Sequence, residues 1–481
     1  MSLTVVGLGP GSHGLLTLEA LAAIEAARPL YLRTRKHPVV SDLSNKVELV
    51  SFDDLYESES DFESVYREIV DRLRGAAEDG DVTYGVPGHP MFGEATVQLL
   101  LSEMKDVRVI DGVSFVEPAC RLLELDPLET GLQLVDALAA QELDPSRPVL
   151  AGQVYNRRAA SELKLAALRL YPEGHEVAVL HDLSLPSERV RHAALGSLDH
   201  DDDFDHLTAV FLPALTLEEN IRTFGGLRSI VERLRAPDGC PWDIEQTHQS
   251  LRGDLLEETY EVLAAIDRED QHALQEELGD LLNQVLFHAQ IASERSDFDI
   301  DDVVDGVASK LVRRHPHVFA DVAVESTDDV LRNWEAIKRA ERDAASEDSA
   351  LAGVANSLPA LHQAGLVLER ASRTGFKWPA LENVLLKLAE EVDELQSAND
   401  HKAREDEFGD ILFNLVNAGR YMGLDAESAL RRSTSKFKSR FREVERIAAQ
   451  RGLKMTTADV ETLLGIWEEA RAATDFPSEP E

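Results

Sequence analysis

The sequence predicts a multidomain protein, an α/β domain over residues 1–215 followed by an all-α half. Three observations predict it: strands alternating with helices up to Pro213, helical periodicity with few β-rich runs after it, and two copies of one ordered set of residues in that second half. The 481 residues are enough for roughly two to four domains.

The first half reads element by element. "LTVVGLG" (3–9) is a buried strand ending in a Gly-rich turn, and "LLTLEALAAIEAA" (15–27) is the helix after it. "DVTYGVPG" (81–88), "VRVIDGVS" (107–114), "PVLAGQVY" (148–155), "HEVAVLHDL" (175–183) and "HLTAVFLPA" (206–214) repeat the strand-then-turn pattern. "LDHDDDFDH" (198–206) reads as a solvated acidic loop. The second half divides at "SLPALHQAG" (357–365), where Pro359 opens a new helical stretch, and "PSEPE" at the end reads as a frayed tail.

Composition narrows the chemistry. Lys plus Arg is 49 against 89 for Asp plus Glu, a net charge of −40. Such a surface repels phosphate backbones and anionic membranes, so nucleic acid and membrane are not expected partners. Small phosphorylated ligands held through metal ions remain open. Hydrophobic residues at 43% supply real cores. The two cysteines, Cys120 and Cys240, form no disulfide framework and suit a reducing cytoplasm. The N-terminus lacks the basic and apolar regions of a signal peptide. No run of about 18 apolar residues predicts a membrane helix.

The repeat carries the candidate site. Copy one has Trp242, "EETYE" (257–261), "ELGD" (277–280), Lys310 and Arg314, then Trp334 and Lys338. Copy two has Trp378, "EEVDE" (390–394), "EFGD" (407–410), Lys436 and Arg440, then Trp467 and Arg471. At about 100° per residue, Leu381, Val384, Leu385, Leu388, Val392 and Leu395 form one apolar stripe. Glu391 borders it, with Glu394 one turn on along the same edge, while Glu390 points away. On the next helix Phe408, Ile411, Leu412 and Leu415 are expected to face the core, with Glu407 and Asp410 together on another face. A short connection makes the helices antiparallel neighbours, so two carboxylates from each can converge.

Either these acids form a wet helix face or they hold cations. Four converging carboxylates cannot all stay ionised alone. Oxygen ligands without nearby His or Cys point to Mg²⁺ or Mn²⁺, which can clamp a phosphate chain and activate water. Lys436 and Arg440, one turn apart, can hold remaining phosphate charge, and Asn414, one turn after Asp410, can orient water or ligand. Copy one breaks its basic helix at "RRHPHVF", where Pro316 cannot continue it, whereas "KFKSRFREVERIAA" runs on.

E-E-x-x-E followed by E-x-x-D resembles the all-α nucleoside triphosphate pyrophosphohydrolases, most closely the MazG family with its tandem domains. "GCPWDIEQTH", "ELGDLLNQVLFHAQ" and "NWEAIKRAE" resemble its first domain; "GFKWP", "EFGDILFNLVNAGRYMG" and "IWEEAR" resemble its second. The resemblance sets MazG domains at 218–345 and 350–478. It implies Mg²⁺-dependent hydrolysis of NTP or dNTP to monophosphate and pyrophosphate in a homodimer, a nucleotide-pool housekeeping role. Metal ligands then fall on Glu391, Glu394, Glu407 and Asp410, and in copy one on Glu258, Glu261, Glu277 and Asp280. Triphosphate contacts fall on Lys436 and Arg440, with Trp467 and Arg471 near the ligand. Arg471 stands where that family usually has Lys. Copy two is the expected catalytic copy.

Three further turns, "VVGLGPGSHGLLT", "GVPGHPMFG" and "DGVSFVEPA", together resemble the tetrapyrrole methylase family over 1–215. That resemblance implies S-adenosylmethionine binding at Pro87, Gly88, Met91, Gly112 and Ser114. His89 replaces the usual acid of G-D-P. The pairing of the two halves resembles YabN-type fusions. Competing readings are a methyltransferase whose helical half serves for dimerisation and a non-catalytic nucleotide sensor.

Overall fold

The computed structural model describes residues 2–58, 61–324, 326–327, 329–330, 332–334, 336–337 and 349–475. Lys338 and the final "PSEPE" lie outside them. The chain forms two compact units: residues 1–251 with 286–291, and residues 252–285 with 292–481.

The first unit holds two five-stranded sheets. In the first, β1 (Leu3–Gly7), β2 (Leu30–Leu32), β3 (Leu49–Ser51), β4 (Val82–Val86) and β5 (Val107–Ile110) are all parallel in the order β3-β2-β4-β1-β5. Parallel pairing needs crossovers, which α1 (Leu18–Ala26), α2 (Phe62–Asp79) and α3 (Ala95–Glu103) contribute to. Both faces are therefore buried, and the near-continuous apolar run of β1 follows from that. Val5 packs with Ile69, Leu73 and Tyr84 on one face; Val6 packs with Ile24, Leu30 and Leu32 on the other. Helix α2 turns Val65, Ile69, Leu73 and Ala77 inward at helical spacing, and Asp61 caps it by accepting from the Ser64 amide at 2.9 Å.

The second sheet is mixed: β6 (Gln133–Asp136), β7 (Val149–Gly152), β8 (Glu176–His181), β9 (Arg189–Ala194) and β10 (Thr208–Leu212), in the order β6-β7-β10-β8-β9. Only β6 and β7 pair in parallel. Helix α4 (Arg157–Ala167) buries Ala160 and Leu163 in this sheet's core. The acidic loop departs from its reading as solvated. Asp199 is buried against Lys164 at 2.7 Å, and Asp203 pairs with Arg191 at 3.0 Å and Arg189 at 3.3 Å. Those arginines lie on the edge strand β9, so the loop neutralises an edge whose charges the sequence hides.

Helix α5 (Phe224–Leu234) groups with the first unit. The second unit is helical: α6 (Arg252–Asp267), α7 (Gln271–Glu294, of which 286–291 group with the first unit), α8 (Ile300–Arg314), α9 (Ala360–Arg373), α10 (Leu381–Ser397), α11 (His401–Tyr421), α12 (Ala426–Gln450) and α13 (Val460–Asp475). Aspartates 270, 299, 400 and 425 cap α7, α8, α11 and α12 through their carboxylates. Helix α8 ends at Arg314 and a new turn starts at Pro316, whereas α12 runs unbroken for 25 residues. Asp267, ending α6, pairs with Arg431 of α12 at 2.9 Å and so ties the two repeat copies.

Among the described residues the apolar stripes of α10 and α11 are only partly covered, and Phe408, Leu412 and Leu415 do not turn into a core as expected. Val384 is fully buried, but Leu385 is 47% exposed, Phe408 54% and Leu415 48%. Helix α8 likewise exposes Val303, Val307 and Leu311. Among the described residues these exposed side chains are left uncovered. No helix among the described residues is long and apolar enough to cross a membrane.

Candidate active site

Helices α10 and α11 are joined by residues 398–400 and pack together. The short link makes them antiparallel and sets one face of each against the other. Carboxylate oxygens of Glu391, Glu394 and Glu407 then lie within 4.8 Å of one another. Glu391 is buried, Glu394 exposed and Glu407 half-buried. Lost solvation, with the charges of Glu394, Glu391 and Asp410 close by, holds the Glu407 carboxyl above its usual range. Asp410 is exposed and stands outside the three-oxygen group, although its charge reaches Glu407.

Copy one builds the same figure. Glu258, Glu261 and Glu277 also bring oxygens within 4.8 Å. Burial, then the charges of Asp280, Glu261 and Glu277, pushes the Glu258 carboxyl up. Asp280 is again exposed and outside the group. Hard oxygen donors crowded until Glu258, Glu277 and Glu407 are held above the usual carboxyl range fit a divalent cation.

Lys436 and Arg440 lie one turn apart on α12, Lys436 exposed and Arg440 half-buried. Among the described residues Lys436 makes no ion pair. The Trp467 ring packs 5.1 Å from that of Phe437, which stacks on Phe441, so this tryptophan belongs to the α12–α13 contact with Val444, Ile447 and Ile466. Arg471 lies 3.4 Å from Glu468. Asn414 is buried, and its Nδ2 donates to the Asp410 carbonyl at 3.0 Å. The side chain thus braces the helix turn that carries Asp410.

Sequence reasoning missed Lys387. Its Nζ lies 3.0 Å from Oε1 of Glu391 and 3.0 Å from Oε1 of Glu390. The spacings i,i+3 and i,i+4 were legible on the helix. The paired carboxylates on their own resemble a cation site, which drew the reading away from a resident lysine.

In the first unit the three turns converge. The Gly9 amide donates to the Gly88 carbonyl at 3.2 Å and the Gly88 amide to the Gly9 carbonyl at 2.8 Å. A Cβ on Gly112 would stand 2.3 Å from the Gly88 oxygen and 2.8 Å from the Gly7 Cα. Only glycine permits that approach. A cavity of about 860 Å³ opens there, lined by Pro87, Gly88, Met91 and Ser114 among others. Ser114 is buried, accepts from the Val116 amide at 3.0 Å and donates to Glu117 at 2.5 Å. Gly112 shapes the turn from behind. His89 accepts from the Met91 amide at 3.1 Å, so it braces the loop in which it replaces an acid.

The same cavity holds residues the sequence did not reveal. Arg33 follows β2 and reaches Glu94 at 2.5 Å and the Tyr56 hydroxyl at 3.0 Å. Burial pushes Glu94 up, while Arg33 opposes that shift. His37 is buried against the Gly9 carbonyl. These groups come from the segments after β2, β3 and β4, so no local spacing connects them.

Comparison with known proteins adds three findings. Residues 246–319 and 380–444 match the MazG nucleotide pyrophosphohydrolase domain, and residues 2–199 match the Tetrapyrrole (Corrin/Porphyrin) Methylases. The chain is 41% identical over 482 residues to the uncharacterized protein YabN of Bacillus subtilis (strain 168), covering 98% of each. It is 48% identical over 251 residues to the nucleoside triphosphate pyrophosphohydrolase of Escherichia coli (strain K12), covering 51% of this chain and 95% of that one. Among solved structures, uroporphyrin III C-methyl transferase from Thermus thermophilus is similar at 21% identity and TM-score 0.33, covering 44% of this chain and 92% of that one. With paired carboxylate helices in both matched segments, the chain belongs to the MazG family, its two MazG segments following a tetrapyrrole methylase domain.

Proposed function

We propose that this chain hydrolyses nucleoside triphosphates, ribo or deoxy, to the monophosphate and pyrophosphate, as a nucleotide-pool housekeeping enzyme of the cytoplasm. The observation that carries the reading is the triad of Glu391, Glu394 and Glu407, with oxygens within 4.8 Å, inside a segment matched to MazG. Those three carboxylates, with Asp410 one turn on, would hold Mg²⁺ or Mn²⁺. A cation bound there supplies charge neutralisation to the phosphate chain and acidifies a water. The protein's own groups do the rest. Lys436 and Arg440 take phosphate charge from α12. The unbroken α12 favours copy two as the catalytic copy, with the domains at 1–215, 218–345 and 350–478.

The exposed apolar faces of α8, α10 and α11 support a homodimer in which a second copy covers them. The close packing of Gly7, Gly88 and Gly112 behind the cavity supports a second reading for the first unit, S-adenosylmethionine binding at Pro87, Gly88, Met91, Gly112 and Ser114. The test is pyrophosphate release from each NTP and dNTP, with and without Mg²⁺ or Mn²⁺. Release that needs the cation supports the reading; no release from any of them overturns it.

A further inference from the structure

Glu391 and Glu258 are matching residues of the two copies, each the second residue of its E-E-x-x-E. Four residues earlier, one full turn back on the same helix, copy two has Lys387 and copy one has Asp254. The consequence is visible in the side chains. Glu391 is 4% exposed and its Oε1 has the Lys387 ammonium at 3.0 Å; Lys387 also touches Glu390 at 3.0 Å. Glu258 has Asp254 in that place, and the charges of Asp280, Glu261, Glu277 and Glu257 lie close to it.

We propose that Lys387 is the resident counter-cation of copy two, and that a divalent cation must displace it from Glu391 to load. The inference rests on the cation-site reading above. Its consequence is an ordered filling of the two clusters. Copy one, with Asp254 in place of the lysine, has no ammonium one turn back on the same helix and loads at lower cation concentration. Copy two loads later, because its most buried carboxylate already has a positive partner and because that ammonium repels an incoming dication. Lys387 is a positioning residue in this account. It holds Glu391 in its rotamer next to Glu394 and Glu407 until the cation arrives, and it sets the concentration at which the cation wins. The catalytic copy thus has its metal threshold written into its own helix, while the other copy acts as a cation-filled partner.

The test is Mn²⁺ binding to the full chain, followed by the paramagnetic signal of free Mn²⁺, without nucleotide. Glu261→Gln is introduced first to remove copy one's cluster. In that background Lys387→Met is expected to tighten Mn²⁺ binding by on the order of ten-fold, while Lys387→Arg leaves it within about two-fold of the parent. Methionine keeps the length and the helix propensity of lysine, so folding is retained. In the unsubstituted chain two phases are expected, the tighter removed by Glu261→Gln and the weaker by Glu394→Gln. Binding that Lys387→Met weakens or leaves unchanged overturns the proposal, provided that Glu394→Gln still abolishes it. Binding that survives both Glu261→Gln and Glu394→Gln, or no binding at all, overturns the cation-site reading instead.

Discussion

The Nε2 atom of His37 lies 3.0 Å from the carbonyl oxygen of Gly9, the residue that bridges to Gly88. The carbonyl can only accept, so Nε2 carries the hydrogen, and in the neutral ring the lone pair lies on Nδ1. Nδ1 has no partner among the described residues. Burial, with the His206 charge nearby, brings His37 down to about 4 from its ordinary 6.5, despite that bond. A His whose folded pKa is depressed adds stability that is complete above about 6.5 and is lost as pH falls toward 4. Thermal melting of the first unit is therefore expected to fall across that window, by up to roughly 3 kcal/mol at the acid end. His37→Leu should remove that part of the slope; an unchanged slope would contradict the assignment.

Gly112→Ala tests the convergence of the turns. Its Cβ would collide with backbone at Gly88 and Gly7, which cannot move aside as a side chain tip can. The expected cost is about 2 kcal/mol or more, and where S-adenosylhomocysteine raises the melting temperature of the parent, as the proposed cofactor site requires, the variant is expected to lose that gain. A variant that melts like the parent and is stabilised equally would show that the loops do not need this approach.

Lys436→Met tests the basic helix. Lys436 is exposed and makes no ion pair among the described residues, so folding should be unaffected. The expected change is a KM for nucleoside triphosphate raised by about ten-fold, from a lost phosphate contact. An unchanged KM would put the phosphate site elsewhere.

Glu261→Gln tests the asymmetry of the copies. Both clusters have the same three-carboxylate geometry, so the distinction rests on α8 ending at Arg314 while α12 continues. Steady-state pyrophosphate release by Glu261→Gln should stay within about three-fold of the parent. A loss as deep as that from Glu394→Gln would mean that both copies turn over or share one site.

Much of this architecture was legible in the sequence, for identifiable reasons. β1, β4, β7, β8 and β10 are buried on both sides and read as apolar runs. β2 and β3 have three residues each, too short for a periodicity, and β9 alternates arginine with partly buried residues at a sheet edge. The meeting of Glu391, Glu394 and Glu407 followed from helical spacing and a short link. Asp410 did not join them, although the same spacing places it beside Glu407. The apolar stripes were read correctly as stripes, but spacing cannot say whether the covering surface belongs to the same chain. Arg33, Glu94 and His37 meet only because parallel strands bring distant loops to one edge of the sheet.

The most direct test of the central claim is pyrophosphate release from nucleoside triphosphate in Mg²⁺ by the full chain carrying Glu394→Gln. Gln keeps the shape of Glu394 and removes the charge that a hard cation needs. Helix content should match the parent by circular dichroism, because Glu394 is exposed on α10. The account predicts turnover reduced by on the order of 100-fold or more in this folded variant. Turnover like the parent's, with the fold intact, would contradict it.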